Sequence, residues 1–155
     1  MTAQHLVDPR APRFAAGLTS FVLAAALLTS SPWLLAVQAA VFALGAVGRS
    51  PYGVIYARLV RPLLPAPPAL EDTRPVRFAQ QAGLGFALLA LVGAVLGSTL
   101  LFLVATGAAL VAAALNAVFG ICLGCEAYLL LRRAVHGAAI PRLVPRDRAL
   151  TRTEV

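Results

Sequence analysis

Two cysteines and one acid stand close together near the end of the chain, in Gly120-Ile121-Cys122-Leu123-Gly124-Cys125-Glu126-Ala127-Tyr128. These are the only cysteines among 155 residues. On a helix, residues three and four apart share a face, so Cys122, Cys125 and Glu126 are expected to project together. Helical spacing sets Cα atoms three apart at about 5 Å, which a disulfide accepts. Thiols in Cys-x-x-Cys pairs are commonly acidified, and the thiolate is the reactive species. A neighbouring carboxylate disfavours a second negative charge, which suits Glu126 to accept a proton from either thiol. The chemistry implied is thiol–disulfide or sulfur exchange: one cysteine attacks a disulfide or persulfide, the other resolves it, and Glu126 manages the proton. Cys122, Cys125 and Glu126 are thus the candidate catalytic residues.

Two other readings compete. Structural zinc wants four ligands, and this pair with Glu126 supplies three, unless His136 or a second copy of the chain adds more. The incomplete set argues against a metal, and no cofactor is expected. Alternatively the cysteines only pack, as small buried residues do, and the protein is a non-catalytic anchoring or assembly subunit.

The setting of this cluster is apolar. Hydrophobic residues make up 60% of the chain and charged residues 12%, against about 25% charged in soluble domains. A chain this short cannot bury so much apolar surface in water, which excludes a soluble enzyme and a disordered chain. All thirteen basic residues are Arg, and the formal net charge is +7. Their placement points to a membrane and not to nucleic acid. From Phe14 to Gly48 there is no charge, and from Phe78 to Leu131 the only one is Glu126. A span needs about 20 apolar residues, so each run suits a hairpin of two helices.

The expected architecture is an all-α membrane protein of four transmembrane helices, arranged as two similar hairpins with one interfacial amphipathic helix. The spans fall at about 14–30, 33–48, 78–97 and 99–131, forming a membrane domain over 1–133 with a basic tail over 134–155. The first hairpin turns at Thr29-Ser30-Ser31-Pro32, and the second at Gly97-Ser98-Thr99, with Ala105-Thr106-Gly107 as the alternative. Arginines occupy the N-terminal arm, the central loop and the tail. Four spans put these segments on one side, and the positive-inside rule makes that side the cytoplasm. The expectation is a multi-pass plasma-membrane protein with both termini cytoplasmic. A cleaved signal peptide ending near Val37-Gln38-Ala39 is disfavoured, because the apolar run continues to Gly48. An intramembrane acid is a functional candidate by default. On a straight last helix, Glu126 lies about 9 Å and Cys122 about 15 Å from Arg132, and a kink at Gly120 brings the group nearer water; either way the pair opens toward the cytoplasmic side.

Asp8-Pro9-Arg10-Ala11-Pro12-Arg13-Phe14-Ala15 aligns with Asp72-Thr73-Arg74-Pro75-Val76-Arg77-Phe78-Ala79, 64 positions later. The shared D-x-R-x-x-R-F-A precedes an apolar run both times, so the hairpins read as a parallel repeat about an axis along the membrane normal. Ser50-Pro51 reads as an N-cap with a first-turn proline. Tyr52, Ile55, Tyr56, Leu59, Val60 and Leu63 then recur at helical spacing, an amphipathic helix whose Arg58 and Arg61 reach headgroups. Pro62, Pro65, Pro67 and Pro68 stiffen the linker beyond it. Gly93-x-x-x-Gly97 and Gly120-x-x-x-Gly124 are read as close-packing pairs, and Asn116 as an interhelical hydrogen-bonding residue. His5 and His136 are read as solvated.

At Val7-Asp8-Pro9-Arg10 with Arg13-Phe14, and at the cysteine cluster, the chain resembles the actinobacterial domain-of-unknown-function family 4395. The resemblance covers about residues 6–133, most specifically Gly120-x-Cys122-x-Gly124-Cys125-x-x-Tyr128. It implies a small integral membrane protein without an assigned activity. Members often lie near thioredoxin-like and rhodanese-like genes, which implies a cytosolic thioredoxin-like or sulfurtransferase partner. The bilayer's anionic headgroups are the other expected partner, and a second copy of the chain is a candidate.

Overall fold

A computed structural model describes residues 6–67 and 69–136. Most of the expected basic tail, His5 and Pro68 lie outside the described residues. The chain forms β1 (Leu6–Val7), α1 (Arg10–Leu28), α2 (Pro32–Ala46), α3 (Pro51–Ile55), β2 (Glu71–Asp72), α4 (Thr73–Val95), α5 (Thr99–Phe119) and α6 (Leu123–His136). After α3 the helical path continues as a wider turn over Tyr56–Val60 and a tight one over Arg61–Leu63.

Turn chemistry in the sequence sets these boundaries. Ser30 adopts a positive φ of 48° and Ser31 an extended backbone before Pro32 opens α2. Gly97 turns with φ 70°, and the Ser98 hydroxyl accepts the Leu101 N–H to start α5. The second hairpin therefore turns at Gly97-Ser98, not at Ala105-Thr106-Gly107, which lies within α5. The Ser50 hydroxyl accepts the Gly53 N–H at 3.1 Å, with Pro51 in the first turn of α3. Val37-Gln38-Ala39 sits inside α2, with Gln38 fully buried.

The core is drawn from all four long helices: Leu23 and Ala26, Leu35, Ala39 and Phe42, Ala87 and Ala90, and Phe102, Ala105 and Ala109. Its many alanines let the helices approach closely, which suits a bundle held by packing. Of the expected glycine pairs, only one member each packs tightly. A Cβ at Gly93 would fall 2.8 Å from the Phe102 backbone nitrogen, and one at Gly124 would fall 2.6 Å from the Ala79 Cα. Gly97 and Gly120 instead supply positive φ at turns.

Polar groups cluster beneath the first half. Gln38 Nε2 donates to Thr19 Oγ1 at 3.3 Å, and the Tyr52 hydroxyl donates to Gln38 Oε1 at 2.9 Å. The Tyr56 hydroxyl donates to Asp8 Oδ2 at 2.9 Å. This network satisfies groups whose unpaired burial would be costly.

Three helices, α1, α4 and α5, are long and apolar enough to cross a membrane. The 15 residues of α2 span only about 22 Å. α2 reaches the same test only together with Pro51–Leu63, from which it is bent by 78°. Such a set of helices is compatible with a multi-pass membrane protein. The expected last span over 99–131 is not one helix: it breaks after Phe119, and α6 restarts at Leu123 and runs past Arg132-Arg133 to His136. The cause is Gly120, whose φ of 72° ends α5 in a left-handed cap.

The two ends of the repeated motif meet. β1 and β2 pair antiparallel, Leu6 with Asp72 and Val7 with Glu71. This register brings the starts of α1 and α4 to the same end of the bundle.

Candidate functional site

Each copy of the D-x-R-x-x-R-F-A motif makes the same local contacts. Asp8 Oδ1 accepts the Arg10 N–H at 2.9 Å, and Asp72 Oδ1 accepts the Arg74 N–H at 2.9 Å. Each carboxylate thus satisfies a free donor at a helix start. Phe14 meets the Tyr56 ring at 5.8 Å, and Phe78 meets the Tyr128 ring at 5.6 Å, both tilted. The second arginine of each motif reaches the end of the opposite hairpin. Arg13 Nη2 donates to the Val118 carbonyl at 3.2 Å, at the end of α5. Arg77 lies against Gly48 at the end of α2, where a Cβ would fall 2.5 Å from its Nη2. A cation at a helix C-terminus is favoured by exposed carbonyls and the helix dipole.

These contacts hold α6 beside α4, with Gly124 against Ala79 and Tyr128 against Phe78. Half-buried Gly124, Cys125, Tyr128, Leu129 and Arg132 form the face of α6 toward the bundle. Leu130, Leu131 and Val135 point outward, exposed. α6 lies outside the three helices long enough to cross a membrane.

Cys122 immediately precedes α6 and occupies its cap. The Cys125 N–H donates to Cys122 Sγ at 3.4 Å, and the Glu126 N–H donates to the Cys122 carbonyl at 2.9 Å. A straight helix would carry both cysteines on one face; the break at Gly120, which the sequence allowed only as a kink, moves Cys122 to the helix N-terminus instead. That position favours negative charge on sulfur. The pKa of Cys122 is lowered to about 7, first by a hydrogen bond from the Cys125 thiol and further by the Cys125 and Gly124 N–H groups, against the opposing effect of burial. Cys125 is pushed strongly upward, by that same hydrogen bond, then by burial and by the charges of Cys122, Glu71 and Glu126. Negative charge is therefore favoured on Cys122 over Cys125.

The three expected site residues line one cavity of about 580 Å³. Around them stand Arg13, Glu71, Asp72 and Arg132. Sequence reasoning missed these four as site residues, although Arg13 and Asp72 belong to the repeated motif. A second cavity of about 450 Å³, mostly apolar in its walls, shares Pro12, Val76, Asn116 and Cys122 with the first. Asn116 thus faces the cavities. Both cysteines carry free thiols. Among the described residues, no three His, Cys, Asp or Glu side chains gather as a metal-ligand set.

The model of one family, Domain of unknown function (DUF4395), matches residues 7–133. The chain belongs to this family. The match runs from the first strand through the arginines of α6 and so contains both motif copies and the cysteine cavity. No curated protein and no solved structure matches the chain. As a member of a domain-of-unknown-function family, the protein takes its functional reading from the cavity itself.

Proposed function

We propose that this protein is a thiol-redox or sulfur relay of the plasma membrane, with the Cys122–Cys125 pair opening to the cytoplasmic side. The observation that carries the reading is the Cys125 N–H donating to Cys122 Sγ at the start of α6, within a cavity that also holds Glu126. Cys122, as thiolate, attacks a disulfide on a cytosolic thioredoxin-like or sulfurtransferase partner; a new sulfur–sulfur bond forms and a partner thiolate leaves. Cys125 then gives its proton to Glu126 and attacks Cys122, releasing the second partner thiolate. The partner is reduced and the pair becomes a disulfide; run backwards, the pair accepts two electrons from a partner dithiol. Attack on a persulfide instead transfers one sulfur to Cys122.

The membrane arrangement belongs to the same proposal. Four crossings by α1, α2, α4 and α5, in two similar hairpins, put both termini in the cytoplasm. The β1–β2 pairing supports an even number of crossings between Arg10 and Thr73, because it joins the two helix starts at one end. The register is also what a two-fold axis between Val7 and Glu71 would produce, since these residues stand 64 apart and pair with each other. Ser50 and Cys122 follow the same logic: each follows a positive-φ glycine by two residues and accepts an N–H three residues on. The helical path over 51–63 and α6 then lie in the interface, with exposed Arg58, Arg61 and Arg133 toward anionic headgroups.

Trapping tests the relay. In Cys125→Ser, Cys122 is expected to accumulate a mixed disulfide with a cytosolic protein, seen as a band that reductant dissolves. Absence of any adduct, with Cys→Ala at both positions leaving cell growth under thiol stress unchanged, would favour the anchoring reading, for which the exposed leucines of α6 offer a surface.

A further inference from the structure

The second cavity is a mostly apolar groove that reaches the thiol pair. It runs along α4 from Val76 to Phe86, about 15 Å at helical rise. Its walls include Phe42, Phe78 and alanines of α5, and at Phe86, which is 40% exposed, it reaches the outer face of the bundle. At the other end Pro12, Val76, Asn116 and Cys122 line both this groove and the charged cavity. A ligand filling both parts has a long apolar tail and a polar head delivered to a thiolate. Ordinary phospholipid fits the shape but has no two-electron chemistry to exchange with a dithiol. A lipid-soluble quinone has both.

We propose that the paired cavities bind a long-tailed quinone, with its ring beside Cys122 and its tail in the groove between α1, α4 and α5. The inference rests on the thiol relay and names the electron acceptor of that same site. The Cys122 thiolate and Cys125 thiol each give up one electron as the sulfur–sulfur bond forms. The quinone takes both electrons and two protons, one from Cys125 by way of Glu126 and one taken up as H⁺ from bulk solvent, and leaves as quinol. The disulfide left behind oxidises the cytosolic partner's dithiol, which restores the pair. Arg13 and Arg132 lie at the cavity edge, where cations stabilise negative charge developing on the quinone oxygens.

The test uses the full chain, prereduced and reconstituted in phospholipid nanodiscs. The probes are a fully ring-substituted benzoquinone carrying a ten-carbon tail and its tail-less counterpart, neither able to form a ring adduct with thiols. Quinone absorbance and the Cys122–Cys125 redox state are followed together. The expected result is one disulfide formed per quinol, a clear rate advantage for the tailed probe, and loss of the reaction in Cys122→Ser. Ala112→Phe, which fills the groove from α5, lowers the tailed-to-tail-less rate ratio about tenfold, as overpacking by a ring does. Ala82→Leu, a smaller filling from α4, lowers it in the same direction and covers misfolding of the first variant. If the reduced pair exchanges with a thioredoxin-like disulfide but consumes no tailed quinone, or if neither filling alters the ratio, the quinone site is wrong and the relay stands. If the thiols do neither, both readings fall.

Discussion

The backbone N–H of Cys125 donates to the sulfur of Cys122 across the first turn of α6, at 3.4 Å. This bond exists only because the helix is interrupted at Gly120; on a continuous helix that N–H would serve the carbonyl of Ile121. The break thus makes two half-buried thiols an unequal pair. Alkylation of Cys122 should accordingly follow a thiolate that is populated at and above about pH 7 and lost below it. Cys125 should stay unreactive through the same range, because its pKa is raised. Removing the thiol donor in Cys125→Ala should move the Cys122 midpoint up toward an ordinary thiol, about 8.5. Rates of iodoacetamide labelling against pH check this, and a midpoint that does not move would remove the Cys125 thiol from the account.

The close crossing at Gly124 gives a second prediction. Its added Cβ meets the Ala79 backbone, which cannot swing aside as a side-chain end would. Gly124→Ala should push α6 off α4 and cost about 1–3 kcal/mol, the usual range for overpacking. Thermal unfolding in detergent measures the loss, and faster labelling of Cys125 reports the displacement. Unchanged values in both would mean the crossing is looser than described.

Asp8 supports two contacts at once, the Arg10 N–H and the Tyr56 hydroxyl. Asp8→Ala should cost about 1–2 kcal/mol through the lost cap and the orphaned phenol. Tyr56→Phe should cost less, because no acceptor is buried without water access at the half-buried carboxylate. A double-mutant cycle on unfolding free energies separates the shared bond from the cap.

Much of the helical architecture was legible because it depends on hydropathy and turn residues. Ser31-Pro32, Gly97-Ser98 and Ser50-Pro51 each mark a helix start with side-chain or backbone chemistry that needs no tertiary context. The repeated D-x-R-x-x-R-F-A was visible as well, but not its consequence, since Arg13 and Arg77 reach helix ends far away in sequence. The cysteine cluster was found, while its geometry was not. The largely apolar stretch from Thr99 to Leu131 shows Gly120 only as a place for a kink and not as a left-handed stop, because a glycine in an apolar run signals packing as readily as it signals a cap. Gln38 was passed over for a related reason: only the folded bundle brings Thr19 and Tyr52 to it.

The proposed four-crossing topology gives a further expected outcome. Single cysteines placed at Ser30 and Ser98 in a Cys122→Ala, Cys125→Ala background should label with an impermeant maleimide from outside the cell. One at Arg49 should label only after the inner face is opened. In that topology α2, about 22 Å long, crosses where the bilayer thins locally or the helix ends draw water inward. External labelling at Arg49 would refute the four-crossing arrangement and, with it, a cytoplasmic thiol site.

The most direct measurement compares the native thiols in right-side-out and inside-out membrane vesicles, using an impermeant maleimide and mass spectrometry of the fragment that carries Cys122 and Cys125. The account predicts rapid modification of Cys122 in inside-out vesicles at neutral pH, protection in right-side-out ones, and loss of labelling after oxidation to the disulfide. Two thiols that remain unmodified from both faces, in reduced and intact membranes, would contradict it.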